Sequence, residues 1–169
     1  MKPEQESLDI IRDNVNHVIE LARIEYDHEG MRVLEIGLLK GGAKDTFKYA
    51  TVETLDIVEG ADYKVDLCNY LDVVCLDWGY DCVICTEVLE HVRYPKSASD
   101  SIQYMVKNGG KLFITTPFNF RIHNPLPDYW RFTEHALRMM FKDFKIEQLK
   151  GIGGTELNPI CYRLIAQKQ

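Results

Sequence analysis

Long apolar runs are missing from this chain. No stretch approaches the roughly 18 residues of a membrane span, and the opening Met1-Lys2-Pro3-Glu4-Gln5-Glu6-Ser7 lacks an apolar h-region. Neither a membrane span nor a signal peptide is therefore expected. An excess of positive charge is missing too. The formal net charge is -6 and the pI about 5.4, which argues against nonspecific binding to nucleic acid or to an anionic membrane. Cysteine pairs at zinc spacing are absent: Cys82-Val83-Ile84-Cys85 is formally CxxC, but no second Cys or His pair follows it. The pair falls in an expected strand, where residues three apart point to opposite faces, so it suits neither chelation nor a redox loop. No metal is expected. The five cysteines, an odd number, sit mostly in apolar stretches, as in a reduced cytoplasmic protein. Repeats, linkers and low-complexity segments are also lacking. What is present, 46% apolar and 27% charged residues over 169 positions, suits one domain, 1–169, with a real core.

The apolar residues Leu8, Ile11, Val15, Val18 and Ala22 recur at steps of three and four, which predicts an amphipathic helix over Ser7–Ile24 capped by Ser7. With Asp27-His28-Glu29-Gly30 after it, this segment (1–29) is expected to pack on the core. A first strand then enters Gly37-Leu38-Leu39-Lys40-Gly41-Gly42. A short helix is expected at Ala43–Tyr49. Strands are expected at Val52–Ile57, Tyr63–Leu67, Tyr80–Thr86 and Lys111–Pro117. Glu87–Val92 should begin a helical segment, and a helix over Ser97–Val106 should stop at Asn108-Gly109-Gly110. Phe118–Phe132 reads as a loop, Thr133 as the cap of a helix to Phe141, and Phe144–Leu149 and Ile160–Ala166 as two final strands. Strands alternating with helices predict a mostly parallel α/β sheet covered on both faces.

The glycine stretch holds the first functional signal. Val33-Leu34-Glu35-Ile36 is an apolar run broken by one acid, and glycines follow where the backbone must turn or let a ligand approach. A carboxylate beside such a loop repels phosphate, and suits a ligand with positive charge or hydroxyl donors. Asp56 ends the second strand about 20 residues after the glycine loop, the placement of an acid that accepts from ribose hydroxyls.

Val33-Leu34-Glu35-Ile36-Gly37-x-x-x-Gly41 resembles the first motif of class I S-adenosylmethionine (SAM) dependent methyltransferases, with Leu39 at that motif's middle glycine. Thr86-Glu87-Val88-Leu89-Glu90-His91 is similar to the fourth-strand signature of the small-molecule members, type 11/12-like. The resemblance runs from Met31 to the C-terminus. It implies a Rossmann-like fold with a seven-stranded sheet whose last strand inserts antiparallel beside the fifth. It also implies SAM as cofactor, held by Glu35, Gly37, Leu38, Gly41, Asp56, Ile57, Asp66, Leu67, Thr86 and Glu87, with Asp66 toward the adenine amine.

Methyl transfer needs alignment above all, but a hydroxyl acceptor also profits from a base. His123, Asp128 and His91 are the candidates. Phe118, Asn119, Tyr129 and Trp130 are candidate walls for the acceptor, although the aromatics of Pro127–Thr133 equally suit a packing plug. That segment resembles one in bacterial methyltransferases associated with polysaccharide or other cell-surface biosynthesis. No Asn/Asp-Pro-Pro-aromatic motif follows the fourth strand and no Pro-Cys pair exists, which disfavours DNA bases as acceptors. The expected function is methylation of a small molecule, with no nucleic-acid partner and a homodimer allowed. An NAD-dependent oxidoreductase fits poorly, because its Gly-x-Gly-x-x-Gly is absent. A SAM-binding partner or regulatory protein without catalysis stays open as the alternative.

Overall fold

The computed structural model describes residues 3–75 and 78–169. Its elements are α1 (Pro3–Tyr26), β1 (Arg32–Ile36), α2 (Ala43–Thr46), β2 (Thr51–Asp56), β3 (Tyr63–Lys64), α3 (Tyr70–Val74), β4 (Tyr80–Thr86), a 3-10 turn (Leu89–His91), α4 (Pro95–Met105), β5 (Val106–Pro117), α5 (Glu134–Met140), β6 (Phe144–Ile152) and β7 (Cys161–Lys168). Seven strands form one sheet in the order β3-β2-β1-β4-β5-β7-β6. The pairs among β1 to β5 are parallel, whereas β7 runs antiparallel to both β5 and β6. This is the Rossmann-like topology that the resemblance implied.

The strand residues alternate between two cores, as a sheet buried on both faces requires. Val83 and Cys85 join Leu34, Ile36, Leu112 and Ile114 under α4 and α5. Cys82 and Ile84 join Val33, Phe113 and Ile165 under α1. The two cysteines of the CxxC thus lie in opposite cores, and burial pushes both thiols well above the usual range. Helix α1 covers its face with Ile11, Val15, Val18, Ile19 and Ala22, all buried. Each such aliphatic side chain contributes about 1.5–3 kcal/mol when fully buried.

Several boundaries differ from expectation for local reasons. Helix α1 already runs at Pro3, so Ser7 lies inside it rather than capping it. Helix α2 ends at Thr46 because the chain then turns onto Asp27, whose carboxylate accepts from the N–H groups of Lys48, Tyr49 and Ala50. Strand β3 has two residues only, and Asp66 then turns the chain by accepting from Cys68 N–H. The five-residue α3 was not anticipated, being too short to show a period. Glu87–Val92 forms a single 3-10 turn. Asn108-Gly109-Gly110 does not stop a helix but lies within β5, which starts directly after α4. A side chain at Gly110 would stand 2.9 Å from the Tyr80 carbonyl oxygen, so glycine there admits the close approach of β4.

Candidate active site

The carboxyl ends of β1, β2, β4 and β5 meet along one edge, the usual ligand edge of an open α/β sheet. Strand β1 delivers Glu35 to it. This carboxylate is buried, and its two oxygens accept from Ala43 N–H at 3.0 Å and Lys44 N–H at 2.9 Å. Burial pushes the Glu35 carboxyl above its usual range, against those two hydrogen bonds. Glu35 therefore shapes the loop. Gly37 and Gly41 have φ of +89° and +79°, the left-handed region that favours glycine. A side chain at Gly37 would also stand 2.8 Å from Val88 Cγ2, so the loop rests directly on the segment after β4.

Asp56 ties the loop to β2. Its Oδ2 accepts from Leu38 N–H at 2.7 Å, and its Oδ1 accepts from Ile57 and Val58 N–H at 2.6 and 3.3 Å. A carboxylate has about four acceptor sites, so one remains for a ligand hydroxyl. Gly41 N–H in turn donates to Asp45 at 2.7 Å. With Glu35, Asp45 and Asp56 already receiving its N–H groups, the loop is no phosphate cradle, and it fits a sulfonium cofactor with ribose hydroxyls. Leu38 and Ile57 expose apolar side chains beside it. Asp66 is exposed, whereas Leu67 is buried in the core and its carbonyl accepts from Ser101 Oγ at 2.8 Å. Leu67 can thus reach a ligand only through its backbone. Thr86 is buried at the end of β4, level with Thr115 of β5.

A second cluster of polar groups is built around the 3-10 turn. Glu87 departs from β4 with φ of +53°, an uncommon conformation for a residue other than glycine. The turn then sends Glu90 inward, where its side chain is 0% exposed. His91 Nε2 lies 3.7 Å and His123 Nε2 3.8 Å from Glu90 Oε1, with the two rings 5.1 Å apart. Burial drives the carboxyls of Glu87 and Glu90 upward. Burial also lowers the His123 ring below its usual value, aided by His91 and Arg131 against Asp128.

The loop that carries His123 is clamped by Arg131. Its guanidinium grips both oxygens of Asp128, at 2.5 and 2.8 Å, and donates to the carbonyls of Phe120, Arg121 and Trp130. That fork, helped by His123, holds the Asp128 carboxyl far below the usual carboxylate range despite its burial. The expectation that Asp128 takes a proton therefore does not fit this geometry. Asp128 instead accepts from the His123 backbone N–H at 3.0 Å and places that residue. Tyr129 and Trp130 donate their N–H groups to the Glu90 carbonyl, and the Trp130 indole donates to Val92. Both side chains stay about half exposed. Phe118 packs edge-on against Tyr162 and Asn119 is exposed. The sequence reading missed two residues here. Glu90 stood inside the quoted signature, but only its burial reveals its place, and Arg131 shows itself only by the carbonyls it gathers.

The sheet order and this edge define a class I methyltransferase, the class that uses SAM. More narrowly, a model of the methyltransferase domain family matches residues 10–151, and the chain belongs to that family. Solved structures of similar fold include the N-methyltransferase NodS from Bradyrhizobium japonicum WM9, with 14% identity over 93% of this chain and 95% of that one and a TM-score of 0.69. Magnesium protoporphyrin IX methyltransferase from Synechocystis PCC 6803, solved with bound SAM, matches at 18% identity over 100% and 85% with a TM-score of 0.67. The 1,6-didemethyltoxoflavin-N1-methyltransferase of Burkholderia thailandensis matches at 15% identity over 98% and 84% with a TM-score of 0.68. No curated protein sequence matches the chain.

Proposed function

We propose that this protein transfers a methyl group from SAM to a small molecule that enters beneath the loop 118–132. The observation that carries this reading is the contact of Gly37 with Val88. It sets the acid-ringed loop directly against the turn that holds Glu90 and His91. Bound SAM supplies a methyl group activated on a sulfonium, which leaves by in-line displacement. Asp56 accepts from one ribose hydroxyl, Asp66 from the adenine amine, and the turned backbone at Gly37 and Gly41 admits the methionine end. Tyr129 and Trp130 wall the acceptor and exclude water, which aligns the reactants.

The Pro127 carbonyl oxygen, which can only accept, lies 3.0 Å from His91 Nδ1. His91 Nδ1 therefore carries the hydrogen, and its Nε2 presents a lone pair toward Glu90. That lone pair can take a proton from a hydroxyl acceptor, with the Pro127 carbonyl fixing the tautomer. The small-molecule acceptors named for the similar structures support this substrate class, and cell-surface polysaccharide precursors belong in the assay because segment 127–133 resembles enzymes of that chemistry. The test is calorimetry with SAM followed by methyl transfer to a panel of small acceptors. Binding without turnover on any acceptor would leave a SAM-binding protein without catalysis, and no binding would remove the reading.

A further inference from the structure

We propose that Glu90, His91 and His123 hold a divalent transition-metal cation through one carboxylate oxygen and the two Nε2 atoms. The ligand atoms of these three residues lie within 4.8 Å of one another. The 3.7 and 3.8 Å separations from Glu90 Oε1 are slightly wider than the roughly 3.4 Å between ligands of a tetrahedral ion at 2.0–2.2 Å. A small inward rotation of the side chains closes the set.

The independent sign is Glu90 itself. Its side chain is fully buried, and neither of its oxygens has a hydrogen-bond partner. Buried carboxylates are normally hydrogen-bonded, paired or bound to a metal. Arg131 is the cation acting on Glu90, yet its fork is occupied by Asp128. Glu87 adds a third buried carboxylate oxygen without a partner. His91, whose Nδ1 faces the Pro127 carbonyl, meanwhile turns its Nε2 lone pair toward Glu90.

The surroundings match a metal centre. The Pro127 carbonyl on His91 Nδ1 fixes that ring from behind, as second partners of metal-bound imidazoles do, and Asp128 holds the backbone of His123. Two nitrogens with one carboxylate suit zinc, manganese, iron or cobalt, whereas calcium takes six to eight oxygens. Three protein ligands leave positions for water or for an acceptor oxygen. Such a cation would occupy the Nε2 lone pairs and, in place of a histidine base, lower the pKa of a coordinated hydroxyl. Only this use of the ion rests on the methyltransferase reading; its binding does not.

The test is therefore made without SAM or acceptor. Metal-stripped protein is titrated with Zn²⁺, Mn²⁺ and Co²⁺ by calorimetry, and Co²⁺ is followed by its visible absorption. One equivalent is expected to bind and to raise Tm. His123→Ala and Glu90→Gln are each expected to weaken binding by tenfold or more. His123 is partly exposed and tests the site even where a change at buried Glu90 impairs folding, which circular dichroism reports. Absence of saturable binding by the folded wild type, or equal affinity in folded His123→Ala, would overturn the site.

Discussion

Glu35 and Gly42 occupy one space: a Cβ on residue 42 would stand 1.9 Å from Glu35 Oε1. The carboxylate that shapes the loop can reach Ala43 and Lys44 only because residue 42 has no side chain. Gly42→Ala is expected to push Glu35 off at least one of these N–H groups, each a charge-assisted bond of about 1.5–3 kcal/mol. Thermal denaturation should show a Tm lower by several degrees, and calorimetry a weaker SAM complex. An unchanged Tm and affinity would mean that the loop does not depend on Glu35.

Asp56 ties the glycine loop to β2 and is the proposed acceptor for the ribose. Asp56→Ala should weaken SAM binding at least tenfold, through a lost ribose bond and a freed Leu38 N–H, each charged bond being worth about 1.5–3 kcal/mol. The circular dichroism spectrum should stay that of the folded protein. Titration calorimetry checks this, and wild-type affinity in the variant would take Asp56 out of the site.

Arg131 holds the acceptor loop by geometry as much as by charge. Lysine keeps the charge but cannot form the fork. Arg131→Lys is therefore expected to lower turnover by roughly 10–10²-fold through misplaced acceptor groups, with SAM affinity within about twofold of wild type. Steady-state kinetics together with calorimetry separate the two effects, and equal losses in both would point to general unfolding instead.

Acid stability should depend on Asp81. Burial pushes this carboxyl up, but the Arg32 N–H at 2.9 Å and the ion pair with Lys107 outweigh it and hold it below the usual range. Because the folded pKa is depressed, the unfolded chain binds more protons in acid. The contribution is complete above the unfolded value of about 3.9 and fades as pH falls through the folded one. Asp81→Asn should be less stable by about 1–2 kcal/mol at neutral pH, and the gap should shrink below about pH 4. Urea melts across that range check the crossing, and a gap independent of pH would exclude the ionised carboxylate as its source.

Legibility in the sequence followed the range of the interaction concerned. The alternation at Cys82 to Cys85 placed them on opposite faces because strand period is local, and Thr133 was readable as a cap because its hydroxyl accepts from Ala136 N–H, three residues on. The strand-end acids were legible from spacing. The burial of the Leu67 side chain is decided by α4 and was invisible. Glu90 was hidden for the same reason, since its isolation depends on His123 and a loop more than thirty residues away. The start of β5 was misplaced because pairing with Tyr80 overrides the turn preference of Asn108-Gly109-Gly110.

The position of β7 has a consequence for biosynthesis. It is the last strand to be made, yet it lies between β5 and β6. Until it emerges from the ribosome, β5 and β6 each present an open edge, and neither can bond the other. Seven of the residue pairings on β5 and eight on β6 wait for it. Such unpaired edges are templates for other chains, and pairings distant in sequence form late. Nascent chains stalled before Cys161 are therefore expected to engage chaperones or aggregate, while release of the next eight residues seals the sheet in a single step.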